Sequence, residues 1–313
     1  MPVREADPWR LQYFADAACP DGVDVPTEDA DAWEWYPCYR WVYDKLRVAQ
    51  SQGFEAAPHG VMPAGFPVFS KPIVNLRGMG VGSRVIGSAD EYAAAWTAGH
   101  FWMRLLTGEH VSSDVAVVDG RAVWWRHATG IPGAGGIFDR WIVHAAGRPG
   151  LEAACGAWIA RHLGGYSGML NLETIGGGII EVHLRFADQW PDLYGAGWVA
   201  ALIRLYAEGR WVFDDARRRD GYSVVLFGPP GAVLGASAGG VGGRGARDGG
   251  GVERAGDVPC GEGGGFACDA AGWVSAGDCE LLGPGGGAGG AGAAGGLVRG
   301  GGGGVSGRLG YLF

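Results

Sequence analysis

The chain has 313 residues, 47% of them hydrophobic, and a formal net charge of −8 with a pI near 5.4. That length allows one large domain or two ordinary ones with a real core. The acidic balance argues against a polyanion partner, so no nucleic acid is expected.

The first residues, "MPVREADPWRLQ", lack a basic start followed by an apolar run, which argues against a secretory signal. No stretch reaches the roughly 18 uninterrupted apolar residues of a membrane span. "GWVAALIRLY" comes nearest, and Arg204 interrupts it. No membrane partner is expected. The six cysteines, Cys19, Cys38, Cys155, Cys260, Cys268 and Cys279, form no CxxC. Their spacing suits neither a zinc site nor a disulfide framework, and a reducing cytoplasm is the simplest expectation.

Residues 1–38 are acidic and tryptophan-rich with little period. Apolar positions in 39–53 fit an amphipathic helix stopped by Gly53. "FPVFSKPI" reads as a strand with Pro67 at its start. A glycine turn and a short strand, 84–86, follow. Ser88 and Glu91 form a capping pattern for a helix ending by Gly99. Three strand patterns come next, "HFWMRLL", "HVSSDVAVVDG" and "RAVWWRHATG", the last two joined at Asp119-Gly120 in the manner of a hairpin. Residues 150–165 read as a helix, "SGMLNLETIGGGIIEVHLR" as two strands around Gly176–Gly178, "GAGWVAALIRLYAEGRW" as a helix and "GYSVVLFG" as a strand. The pattern predicts an α+β fold with mostly antiparallel sheets.

The text changes near residue 229. Of the 62 glycines, 33 lie in 231–313, about 40% of that segment against an average near 7%. Glycine carries a large ordering cost and buries no side chain, so residues 229–313 are expected to be a disordered Gly/Ala-rich tail. The competing expectation is a frameshift product, because a GC-rich gene read out of frame gives such a text.

Only two lysines occur, Lys45 and Lys71. Lys71 precedes the glycines of "RGMGVGS", 77–83. A dinucleotide fingerprint needs GxGxxG opening a helix, and here Ser83 takes the third place and a strand follows. No Gly-Lys pair exists for a Walker A loop. A strand, a lysine, a glycine turn and a strand can instead lay backbone N–H groups over phosphates. Taken alone, the stretch is equally a plain hairpin with a surface lysine. Glu173 and Glu181 fall on adjacent strands among apolar neighbours, where carboxylates are costly unless paired or metal-bound. Two hard oxygen ligands suit Mg²⁺. Glu181, His183 and Arg185 share one strand face; the bland alternative is a solvated face with a Glu–Arg pair. His59, His100, His127, His144 and His162 show no metal spacing. Trp33, Trp35, Trp41, Trp124 and Trp125 read as packing residues, and Asp139-Arg140 as a surface turn. "GYSGM" at 165–169 does not fit a nucleophile elbow.

From about Asp44 to Arg185 these pieces together resemble the ATP-grasp superfamily. The matching pieces are "DKL" at 44–46, "PVFSKP", "GMGVGS", "FWMRLLTGEHVSSD" and "LETIGGGIIEVHLR", in the family's order. The resemblance implies a small lid subdomain at about 39–102 and a larger one at about 103–228, clasping ATP. It places Lys45 and Lys71 on the α- and β-phosphates. The loop with Arg77, Gly78, Gly80, Gly82 and Ser83 would close over the β/γ-phosphates. Arg104, Leu105 and Leu106 would meet adenine, and Glu109 or His110 the ribose, with Val68, Leu105 and Leu172 as apolar walls. Glu173, Glu181 and His183 are the implied metal ligands, and Arg185 would steady the transferred group. The implied reaction is ATP- and Mg²⁺-dependent activation of a carboxylate as an acyl-phosphate, captured by an amine or thiol. The chain departs from the family at three points. His183 stands where asparagine is usual, which admits Mn²⁺ as the metal. The hinge lacks its acidic residue. Only 44 residues precede Lys45, where members carry a separate α/β domain. These departures feed the alternative of an ATP-binding pseudoenzyme or regulatory module. The acid, the acceptor and the oligomeric state are not legible in the sequence.

Overall fold

The computed structural model describes residues 10, 12–15, 17–74, 82–133, 138–226 and 306–311. Arg77, Gly78, Gly80 and most of the glycine-rich tail lie outside them. Within the tail, Ser306–Tyr311 forms a strand.

Two sheets organise the chain. The smaller has the order β1 (Ala56–Pro58), β4 (His100–Arg104), β2 (Val68–Pro72), β3 (Arg84–Ile86), all antiparallel. The larger has the order β11 (Ser306–Tyr311), β10 (Gly221–Leu226), β7 (Phe138–His144), β6 (Arg121–Pro132), β5 (His110–Val118), β8 (Gly168–Ile175), β9 (Gly178–His183). It is antiparallel except for β10–β11. The expected α+β class with mostly antiparallel sheets is what forms.

Side-chain alternation sorts the cores. Val115, Val117, Leu170 and Leu172 point to one face of the large sheet, against Cys155, Trp158 and Ile159 of α4 (Pro149–His162). Ala116 and Met169 point to the other, against Trp198, Leu202 and Leu205 of α5 (Trp198–Glu208). On the small sheet, Val68, Ile86 and Trp102 pack with Tyr92 of α3 (Ala89–Ala94). Phe101, Met103 and Phe69 face the other way, toward Leu46 and Ala49 of α2 (Lys45–Ser51). The acidic segment is not separate from this scaffold: α1 (Asp29–Trp35) buries Ala32 in the core beneath β8 and β9.

The single helix expected over 39–53 is split. Residues Arg40–Tyr43 form one 3₁₀ turn, and α2 starts afresh because Asp44 caps it, accepting from Arg47 N at 2.9 Å. Ser88 caps α3 as expected, accepting from Glu91 N at 3.2 Å. Asp139 and Arg140, read as a surface turn, lie instead within β7, where they ion-pair at 2.6 Å. Among the described residues no helix is long and apolar enough to cross a membrane.

Candidate functional site

Both lysines converge on β9. Lys45 opens α2, whose N-terminus is tied to the small sheet by Lys45 N donating to Ile73 O at 2.9 Å. Its Nζ ion-pairs with Glu181 Oε1 at 2.7 Å. Lys71 sits on β2 with Phe69, on the face turned to the large sheet. Its Nζ donates to the carbonyl of Ile180 at 2.7 Å.

A bulge makes that carbonyl available. Thr174 pairs with Ile179 and Glu173 with Glu181, so Ile180 is the extra residue on β9. A bulged residue leaves the ladder and re-aims its neighbours. Here it frees a backbone acceptor for Lys71 and keeps Glu173 directly opposite Glu181. The tight Gly176–Gly177 turn fixes the register. Gly176 has φ +55°, and a Cβ there would stand 2.2 Å from Thr107 O.

Lys71 is 6% exposed. Burial first, and the Lys45 charge second, lower its pKa to about 8, against the pull of Glu181 and Glu173. Glu173 accepts from His110 Nε2 at 3.0 Å. Burial acts to raise the Glu173 pKa, but that bond and the His110, His183 and Lys45 charges hold it below the usual carboxylate range. The Glu173 and Glu181 side chains stay 25% and 17% exposed.

His183 and Arg185 turn elsewhere. His183 Nδ1 and Arg185 Nη2 each lie 2.9 Å from Asp29 Oδ2, and Tyr43 donates its hydroxyl to Asp29 Oδ1 at 3.1 Å. Burial alone would raise the Asp29 pKa; the Arg185 and His183 charges outweigh it and hold the carboxyl well below its ordinary value. Burial likewise opposes charging His183, and Asp29 reverses this and raises its pKa. His183 Nε2 is 3.7 Å from Glu181 Oε1. Among the described residues no group of three His, Cys, Asp or Glu side chains converges as a metal site.

Other expected positions divide. Arg104 lays its guanidinium over the Phe54 ring at 4.0 Å, and Leu106 packs with Phe54. Glu109 is held by Arg148 and by Thr129, whose hydroxyl donates at 2.7 Å; the Arg148 bond brings its pKa down to about 2. His110, not Glu109, faces the acidic pair. Gly82 (φ +80°) and Ser83 end the glycine loop beside His100. Two expected adenine walls are corrected. Val68 packs on the α3 side and Leu172 on the α4 side, each one residue out of phase with the polar face beside it.

Asp29 and Asp114 were missed. Asp29 lies 154 residues from His183 in sequence, in a segment without period, so no local signal marks it. Asp114 ends the stretch "FWMRLLTGEHVSSD" and is fully buried. It accepts from Ala187 N at 2.9 Å, Tyr194 Oη at 2.7 Å and Asn171 Nδ2 at 2.8 Å. Burial nevertheless pushes its pKa up to about 6. Asn171, Glu173, His183, Arg185 and Gln189 line a cavity of about 80 Å3.

Lys45 of α2 and Lys71 of β2 thus reach the Glu173–Glu181 strand pair, with the motifs in the order set out above. The arrangement resembles the ATP-grasp fold. No protein-family model matches it, and no curated protein matches it. Solved structures are similar at low identity. L-amino acid ligase from Bacillus licheniformis is 13% identical over 64% of this chain and 59% of its own, with a TM-score of 0.46. The biotin carboxylase domain of the Hydrogenobacter thermophilus 2-oxoglutarate carboxylase, solved with MgADP and bicarbonate, is 18% identical over 60% and 50%, TM-score 0.43. N5-carboxyaminoimidazole synthase from Aspergillus clavatus, with ADP and 5-aminoimidazole ribonucleotide, is 11% identical over 66% of each chain, TM-score 0.49. The chain spans about six-tenths of the length of the first of these structures.

Proposed function

We propose that the chain is an ATP-dependent, ADP-forming ligase that activates a carboxylate for attack by an amine or thiol. The observation that carries this is the meeting of the chain's only two lysines with the Glu173–Glu181 pair across the two sheets. One cation from α2, one from β2 and two carboxylates from the large sheet frame a cleft suited to a charged phosphate chain.

The residues divide the work. Lys45 and Lys71 would leave Glu181 and the Ile180 carbonyl for phosphate oxygens, neutralising charge as a phosphoryl group moves. Glu173 and Glu181 offer hard oxygens in register, which fit Mg²⁺ shared with phosphate oxygens. Bound Mg²⁺ would draw charge from the phosphates. His183, with Nδ1 on Asp29, would have Nε2 to offer a metal, but its raised pKa favours the protonated ring, and the proton competes with a metal there. That weighs against Mn²⁺ held by the imidazole. Arg185, braced by Asp29, would position the acyl-phosphate. Pairing of His183 with Asp29 also favours the second reading, an ATP-binding module with weak turnover.

Thermal unfolding of the full chain with Mg²⁺–ATP tests nucleotide binding. A ligand bound only by the native state stabilises by about 2.7 kcal/mol at 100 times its Kd. The gain is expected in the wild type and lost in both Lys71→Ala and Glu181→Ala. ADP release on addition of a carboxylic acid and an amine separates the ligase from the binding module; no stabilisation by nucleotide defeats both.

A further inference from the structure

Glu173 and Glu181 stand directly opposite each other on β8 and β9. Like charges so placed repel, and each carboxylate needs a brace to stay aimed at the other. Lys45 braces Glu181 at 2.7 Å. The brace of Glu173 is His110, whose Nε2 donates to Oε2 at 3.0 Å. On β5 it is Ser112 that pairs with Glu173, so His110, two residues earlier, reaches the carboxylate diagonally on the same sheet face. The His110 and Glu173 side chains are 18% and 25% exposed, so the pair borders the cleft and is open to a ligand.

The imidazole is itself held. The Phe138 and Trp141 rings meet it edge to face, with centroids at 4.8 and 5.7 Å and interplanar angles of 87° and 89°. Both rings come from β7, two strands away from β5. They can reach His110 because the strand between carries no side chain at the crossing point. Thr129 of β6 pairs with Val111 and Gly130 with Trp141, so Gly130 stands between His110 and Trp141. A Cβ on Gly130 would lie 2.5 Å from the Phe138 ring and 3.1 Å from the Trp141 ring. The φ of Gly130 is not positive, so the two rings, and not a turn, require glycine there.

We propose that His110 is a positioning residue: wedged by Phe138 and Trp141 across Gly130, it holds Glu173 so that the other oxygen, Oε1, is offered together with Glu181 to a divalent cation. This rests on the ligase reading and refines its metal pair. It also replaces the ribose contact expected for His110, because Nε2 is committed to the carboxylate. A carboxylate fixed before the metal arrives loses less freedom on binding it, and loss of such a partner behind a metal ligand lowers metal affinity about 10- to 100-fold.

The test is the affinity of the full chain for ADP by isothermal titration calorimetry, once with Mg²⁺ and once with EDTA. The wild type should bind ADP more tightly with Mg²⁺. His110→Asn is too short to place a donor where Nε2 stood; it should weaken MgADP about tenfold or more and leave metal-free ADP unchanged. His110→Gln places an amide N–H near the position of Nε2 and should restore most of the MgADP affinity. Gly130→Ala displaces the rings and should weaken MgADP in the same selective way. Equal losses with and without Mg²⁺ in His110→Asn would mean a nucleoside contact and overturn the proposal. No loss there, or a loss in His110→Gln as large as in His110→Asn, overturns it too. Wild-type MgADP affinity in Gly130→Ala overturns the wedge. A wild type that binds ADP equally with and without Mg²⁺ overturns the assignment and leaves nucleotide binding standing, whereas no ADP binding at all removes the ligase reading itself. If either His110→Asn or Gly130→Ala does not fold, the other decides.

Discussion

Glu181 and His183 stand two residues apart on β9 and share its face, yet each belongs to a different charged cluster. Glu181 faces the cleft with Lys45, Lys71, Glu173 and His110, and its side chain and that of Glu173 remain partly exposed. His183 joins Arg185 and Tyr43 around Asp29, where the His183 and Asp29 side chains are each only 7% exposed. The cleft partners are single contacts that phosphate and metal could replace one for one. In the Asp29 cluster one carboxylate holds an imidazole, a guanidinium and a phenol at once. One strand therefore carries an exchangeable set and a fixed set side by side, and the fixed set aims Arg185 at the small cavity.

The largest expected effect breaks the fixed set. Asp29→Asn leaves two buried cations facing a neutral amide and should destabilise the chain by about 3–5 kcal/mol, read by urea unfolding. A loss below 1 kcal/mol would mean that Asp29 is no anchor. Glu181→Gln removes the partner of Lys45 in the more open cluster, and a smaller loss of about 1–3 kcal/mol is expected in the same assay. Equal losses would erase the distinction between the clusters.

The pH dependence sharpens the contrast. Asp29 has a depressed folded pKa, so its contribution is full above its ordinary value of 3.8 and is lost as pH falls below it. His183 has a raised folded pKa, so its contribution is full below its ordinary value of 6.5 and is lost as pH rises through the folded value. The stability gap between wild type and Asp29→Asn should be widest between about pH 4 and 6.5 and narrow on both sides. A gap flat from pH 3 to 9 would show that charge plays no part in it.

Much of the cleft was legible because its signals are local. The two lysines, the glutamates flanking a glycine turn and the i, i+2, i+4 run Glu181–Arg185 are all set by strand period and turn chemistry. What period cannot tell is which face of a strand becomes the cleft. Val68 and Leu172 read as site walls from sequence, and both lie on the opposite faces of their strands. Nor does it reveal a bulge: the free carbonyl of Ile180 arises from one extra residue on β9, visible only through pairing. Asp29 depends on contacts across the chain, and nothing in "TEDADAW" distinguishes it from surface text.

The smallest expected effect has a sign of its own. Lys71 is a buried cation beside a second cation, with a neutral carbonyl as its direct partner. Lys71→Met removes an unfavourable buried charge and leaves the Ile180 carbonyl unpaired. These terms oppose each other, so stability near neutral pH should change by no more than about 1 kcal/mol, while stabilisation by Mg²⁺–ATP disappears. The signature lies at high pH. The folded pKa of Lys71 is lowered to about 8 from an ordinary 10.5, so between those values the unfolded chain holds a proton that the native protein has shed. Stability then rises with pH across that window by this group's contribution, and the rise should be missing in Lys71→Met. Parallel wild-type and variant curves there would mean that Lys71 is solvated, and its place among the phosphate-binding groups would lose its physical basis.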